Sequence, residues 1–197
     1  MKYNIPYSKP CYSNYDTKHI KSYVSDLDEN WFGEFRETRK LEEKLSKLSG
    51  AKYVHAVNSG TSALICAYLS LGLKKKDKIL MTGYTHIATP NTAKLLGLNI
   101  EVIDIEKETG FADFNLIKKK LSKKIKCLVL AAINGRVSDL TLQICKLAKR
   151  KKIPIIIDGA SALGSEINKK KILSLGDITT TSFSTSKLIS SGQGGAI

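Results

Sequence analysis

Lys187 stands in a run of small residues, Ser182-Phe183-Ser184-Thr185-Ser186-Lys187, and the glycine turn Ser191-Gly192-Gln193-Gly194-Gly195 follows it. A lysine amine in such a loop becomes a Schiff-base nucleophile once it is desolvated. Its partner in chemistry is Asp158, which closes the apolar run Ile153-Pro154-Ile155-Ile156-Ile157. An amine for an aldehyde and a carboxylate against a ring nitrogen are what pyridoxal phosphate asks of a protein. Each residue also has a plain reading. Lys187 is one of 28 lysines, and an aspartate after a buried strand commonly caps the next helix.

Two further stretches carry chemistry. Asn58-Ser59-Gly60-Thr61-Ser62 is a glycine turn opening a helix, where free backbone N–H groups suit a phosphate. Its rival reading is an ordinary N-cap by Ser59 or Thr61. His86 lies in Gly83-Tyr84-Thr85-His86, where a loop histidine with satisfied hydrogen bonds is the commoner role.

The elements that must position these groups alternate. A helix spans Glu34 to Leu48 on the stripe Phe35, Leu41, Leu45 and Leu48, and stops at Gly50. Strands are expected at Tyr53–Val57, Lys78–Met81, Ile100–Ile105, Lys126–Ile133 and Ile153–Ile157, with a β-rich run through Thr179–Ser182. Helices intervene: one to about Leu71, one from Thr89 with Pro90 at its first position to Gly97, one capped by Asp113, and one starting at Ser138 or Asp139. Residues 1–33 read as an irregular arm ending in Trp31-Phe32-Gly33. Strand–helix alternation makes the class α/β with a mostly parallel sheet. Ligands bind such sheets beyond the C-terminal strand ends. Asn58–Ser62, Gly83–His86, Asp158–Ser161 and Ser182–Lys187 all fall there, and the plain readings leave that coincidence unexplained.

Composition narrows the classes. The formal charge is +14, but only Arg36, Arg39, Arg136 and Arg150 are arginine, which argues against a sequence-specific nucleic-acid reader. The clusters Lys74–Lys76, Lys118–Lys120 with Lys123 and Lys124, and Lys149–Lys152 each read as a solvated helix end facing the macrodipole. Cys11, Cys66, Cys127 and Cys145 lack metal-ligand spacing, and Cys66 and Cys127 read as core. With no signal pattern and no membrane-length apolar run, a cytoplasmic protein without a membrane partner or a metal is expected.

The ordered set Asn58-Ser59-Gly60-Thr61-Ser62-Ala63-Leu64, Tyr84-Thr85-His86-Ile87-Ala88-Thr89, Asp158-Gly159-Ala160-Ser161-Ala162-Leu163-Gly164, Leu175-Gly176-Asp177-Ile178 and Ser182-Phe183 through Lys187 to Gly192-Gln193-Gly194-Gly195 resembles the DegT/DnrJ/EryC1/StrS family, from about Trp31 onward. These are fold-type I pyridoxal phosphate enzymes, mostly sugar aminotransferases. The resemblance implies that Lys187 holds the cofactor and shuttles the proton, and that Asp158 pairs with the pyridine nitrogen. It implies phosphate contacts from Gly60, Thr61, Ser62 and Ser182. His86 takes the place where the family usually stacks Phe, Tyr or Trp on the ring. Ser161 takes the place of a glutamine or longer polar residue near the 3′-oxygen.

The same resemblance implies glutamate as donor, a nucleotide-linked keto-sugar as acceptor, and a homodimer. Relatives run to nearly twice 197 residues with a C-terminal small domain. The expectation is therefore an N-terminal arm, residues 1–33, and a partial cofactor-binding domain, residues 34–197, incomplete at its C terminus or completed by a complementing chain. The strand after the glycine turn is expected at the centre of the sheet, beside the first strand. Two rivals stand beside the aminotransferase. One is an inactive fragment that survives as a binding or assembly module. The other is a sugar 3-dehydratase, which carries histidine where this chain has Lys187.

Overall fold

The computed structural model describes residues 13–25 and 36–197. In chain order the elements are α1 (Asn14–Ser25), α2 (Arg36–Ser49), β1 (Ala56–Val57), α3 (Gly60–Ser70), β2 (Lys78–Thr82), α4 (Ala88–Leu95), β3 (Asn99–Ile103), α5 (Phe114–Lys120), β4 (Ile125–Ala131), α6 (Thr141–Lys151), β5 (Ile155–Asp158), the hairpin β6 (Glu166–Ile167) and β7 (Lys170–Lys171), β8 (Ile178–Ser182) and β9 (Gly195–Ala196).

Seven strands form one sheet in the order β1-β9-β8-β5-β4-β2-β3. The pairs β2–β3, β2–β4, β4–β5 and β5–β8 are parallel, while β9 runs antiparallel to both β8 and β1. Alternation along each strand divides the core into two layers. Leu80, Leu128, Leu130, Ile155 and Ile157 pack on one face with Ile117 of α5 and Ile144 of α6. Ile79, Met81, Cys127, Val129 and Ile156 pack on the other with Leu64, Ala67 and Tyr68 of α3 and Ala93 of α4. A sheet covered by helices on both faces explains why β4 and β5 read as continuous apolar runs. The expected α/β class with a mostly parallel sheet is the observed one.

Several expectations are corrected. The stretch read as an irregular arm contains α1, whose start is held by a capping box: the Ser13 N–H donates to Asp16 Oδ2 at 2.6 Å and the Asp16 N–H to Ser13 Oγ at 3.2 Å. It buries no residue, and Tyr15, Ile20 and Val24 are exposed. Trp31-Phe32-Gly33 and Cys11 lie outside the described residues. The first strand shortens to Ala56 and Val57, which face β9 in register, with His55 beyond them still exchanging both backbone hydrogen bonds with Ile197. Pro90 is the third residue of α4, since the turn starts one residue before Thr89. The strand after the glycine turn does lie beside β1, but one place in from the sheet edge. Lys118–Lys120 and Lys149–Lys151 close α5 and α6, whereas Lys74–Lys76 form a turn leading into β2. Cys127 is fully buried, while Cys66 is only partly so. Among the described residues no helix is long and apolar enough to cross a membrane.

Candidate active site

The C-terminal ends of β1, β5 and β8 lie together at one end of the sheet. β5 delivers Asp158, 6% exposed, and β8 lies alongside in register, with Asp158 opposite Thr180. The chain leaves β5 in a turn, not a helix: Asp158 Oδ1 accepts from the Ala160 N–H at 3.2 Å and Gly159 donates to Thr180 O at 2.9 Å. The aspartate therefore caps no helix. Its other oxygen, Oδ2, accepts from Thr89 Oγ1 at 2.6 Å, a contact across 69 residues that sequence reasoning did not anticipate. The only cue to it is a threonine at the start of a helix that follows a strand.

Three residues beyond Asp158, Ser161 Oγ accepts from Lys187 Nζ at 3.2 Å. The lysine is half-buried on the loop after β8, with its N–H bonded to Ser184 O at 2.9 Å. The Lys187 amine thus reaches the turn that follows Asp158.

The turn into α3 forms a second cluster. Ser59 is the N-cap: its Oγ accepts from the Ser62 N–H at 3.1 Å, and Ser62 Oγ donates to Asn58 Oδ1 at 2.6 Å. That leaves the N–H groups of Gly60 and Thr61 without an acceptor among the described residues, as expected for the first turn of a helix. The cap and the anion cradle are therefore compatible. Ser182, at the end of β8, lies against Gly60; a Cβ on Gly60 would sit 2.9 Å from Ser182 Cβ. On the other side Gly195 meets the backbone of Ser59 and Gly60, where a Cβ would lie 2.5 Å from Ser59 C and 2.7 Å from Gly60 N. Only glycine permits that approach.

His86 lies on the exposed loop between β2 and α4. Its Nδ1 accepts from the Ala88 N–H at 3.1 Å and its carbonyl from the Thr89 N–H at 3.0 Å. The ring thus helps to start α4, the helix that carries Thr89. Leu175-Gly176-Asp177-Ile178 is structural: Asp177 Oδ2 accepts from the Ile155 N–H at 2.8 Å and the Asp177 N–H donates back to Ile155 O at 2.9 Å, which clamps β5 to β8.

Electrostatics beside the site is set by burial. The Tyr68 phenol is pushed well above its usual range by desolvation, with smaller contributions from Cys127 and the Asp158 carboxylate. Its hydroxyl donates to Thr89 O at 3.2 Å. A cavity of about 300 Å³ lies elsewhere, between the α2–β1 connection and β8–β9. None of the predicted site residues lines it, although the buried, unpartnered hydroxyls of Thr180 and Thr181 do.

The chain is similar to known proteins throughout this architecture. It is 32% identical over 199 residues to GDP-perosamine synthase of Escherichia coli O157:H7, covering 100% of this chain and 53% of the relative. It is 34% identical over 189 residues to a UDP-4-amino-4,6-dideoxy-N-acetyl-beta-L-altrosamine transaminase of Campylobacter jejuni, covering 94% and 50%. A Streptococcus pneumoniae protein assigned as a sugar aminotransferase, solved in its PLP form, superposes with a TM-score of 0.88 at 25% identity, covering 98% of this chain and 52% of that one. The chain thus spans about half the length of the relatives it matches. The profile of the DegT/DnrJ/EryC1/StrS aminotransferase family matches residues 14–197, and it is to this family that the chain belongs.

Proposed function

We propose that this chain carries the cofactor-binding part of a pyridoxal-phosphate-dependent sugar aminotransferase, moving an amino group from glutamate to a nucleotide-linked keto-sugar. The observation that carries the reading is the grouping of Asp158, Ser161 and Lys187, with Lys187 Nζ 3.2 Å from Ser161 Oγ. The residues present fit the cofactor's three ends. Two unpaired N–H groups and Ser182 form an anion cradle, a buried carboxylate stands ready for a ring nitrogen, and an amine stands ready for an aldehyde.

When bound, pyridoxal phosphate supplies an aldehyde for amine exchange and a ring that withdraws electrons. The protein's part is binding and proton handling. Gly60, Thr61, Ser62 and Ser182 hold the phosphate. Asp158 holds a proton at the ring nitrogen. Ser161 orients the Lys187 amine, which moves the proton at the substrate carbon. His86 offers its ring to one face of the cofactor. Lys187 also separates this reading from a dehydratase, which has histidine in its place. Apolar side chains flank the site: Tyr84, Ile87, Leu188 and Ile189 are 49%, 64%, 80% and 54% exposed. That supports a homodimer, or a complementing chain, covering this edge.

The test is spectroscopic. Protein mixed with pyridoxal phosphate is expected to develop the absorption band of lysine-bound cofactor, and borohydride treatment should fix the added mass on the peptide containing Lys187. Lys187→Ala should show neither, and glutamate should bleach the wild-type band. A wild-type protein that develops no band overturns the reading and favours the inactive-fragment alternative.

A further inference from the structure

We propose that Thr89 is a positioning residue for Asp158: its hydroxyl fixes which lone pairs of the carboxylate face the cofactor's ring nitrogen. The inference rests on the function proposed above. Thr89 and Asp158 are 1% and 6% exposed, so their contact is shielded from bulk solvent. A carboxylate only accepts, so in the 2.6 Å contact Thr89 Oγ1 is the donor. Thr89 Oγ1 also lies 2.8 Å from Thr85 Oγ1. Because the Thr89 proton is committed to Asp158, Thr85 must donate to Thr89, and the direction of the relay is Thr85 to Thr89 to Asp158.

Thr89 itself has little freedom. Its N–H is bonded to His86 O, and its carbonyl accepts from the buried Tyr68 hydroxyl and from Thr92 Oγ1. Thr92 shows what a helical threonine ordinarily does, since its hydroxyl bonds back to Ala88 O at 2.8 Å. Thr89 instead turns across to β5. With Thr89 on Oδ2 and the Ala160 N–H on Oδ1, the carboxylate plane is clamped from both sides.

The test compares Thr89→Val, nearly isosteric without the hydroxyl, with Thr89→Ser, which keeps it. Two readouts are taken: the dissociation constant for pyridoxal phosphate, and hydrogen exchange at the Ala160 amide in cofactor-free protein. Thr89→Val is expected to weaken binding about tenfold and speed Ala160 exchange by about the same factor, the loss of one hydrogen bond to a charged group. Thr89→Ser should stay within about twofold of wild type in both. If Thr89→Val changes neither readout, or Thr89→Ser is as impaired as Thr89→Val, the proposal is overturned. If wild type binds no cofactor, the functional reading falls, while the Ala160 exchange still decides the clamp. Should Thr89→Val fail to fold, Thr85→Val removes the donor behind Thr89 and is expected to raise the dissociation constant about threefold, the network contribution of one neutral bond; no change there also overturns the proposal.

Discussion

Ser59 bonds its own helix through its side chain and is crossed by Gly195 at its backbone, so two residues far apart in sequence share one backbone corner. Gly195→Ala would drive a methyl group into the Ser59 carbonyl and the Gly60 nitrogen, atoms that cannot swing aside. It is expected to destabilise the fold by about 2–3 kcal/mol in urea unfolding, an overpacking cost. Ser59→Ala removes the cap alone and is expected to cost about 1 kcal/mol by the same measurement. At this scale the site was partly legible. Lys187 and Asp158 stood out because their chemistry sat at strand ends, whereas Ser161 and Ser182 were assigned roles only through the family resemblance. Thr89 did not stand out, because a threonine before a proline already has a sufficient local reason to be there. Its true partner lies 69 residues on and becomes visible only once α4 has packed against β5.

Between elements, the strongest local device outside the site is the reciprocal pair between Asp177 and Ile155, which fixes β8 to β5 at the end opposite Asp158. Asp177→Ala leaves the first N–H of β5 without its acceptor and is expected to lower stability by about 1–2 kcal/mol, read as a shift in the urea midpoint at unchanged slope. The central strands and the helices between them were readable from alternation and from caps such as Asp113, whose Oδ1 accepts from the Leu116 N–H at 2.9 Å. The two-residue strands β1 and β9 were poorly bounded, because pairing across the sheet, not local pattern, sets their extent. Helix α1 buries none of its residues, and its short apolar spacing of Ile20, Tyr23 and Val24 did not stand out from the arm around it. For α2, Phe35 of the predicted stripe lies outside the described residues; of the others only Leu45 is buried, with Leu41 and Leu48 38% and 41% exposed.

For the molecule as a whole, stability depends on acids buried in their neutral form. Burial pushes the Cys127 thiol up from 9.0 to about 12 and the Cys145 thiol to about 11, and it raises the Tyr68 phenol above 10.0. The unfolded chain loses these protons first. Their contribution is therefore complete below the unfolded values and is lost as pH rises through the folded ones. Urea midpoints are expected to hold up to about pH 8 and to decline steadily by about pH 10.5, with Cys127→Ala showing a shallower decline than wild type. A last consequence comes from the crossing of Gly195 over Ser59. During synthesis, the turn at Gly60 leaves the ribosome long before the strand that braces it. A nascent chain that has emerged only as far as Asp158 already has its carboxylate and most of its sheet, yet not the wall behind the turn. On the function proposed above, a phosphorylated ligand is captured only after Gly195 has emerged and docked on Ser59, and a ligand supplied during translation should speed only that docking.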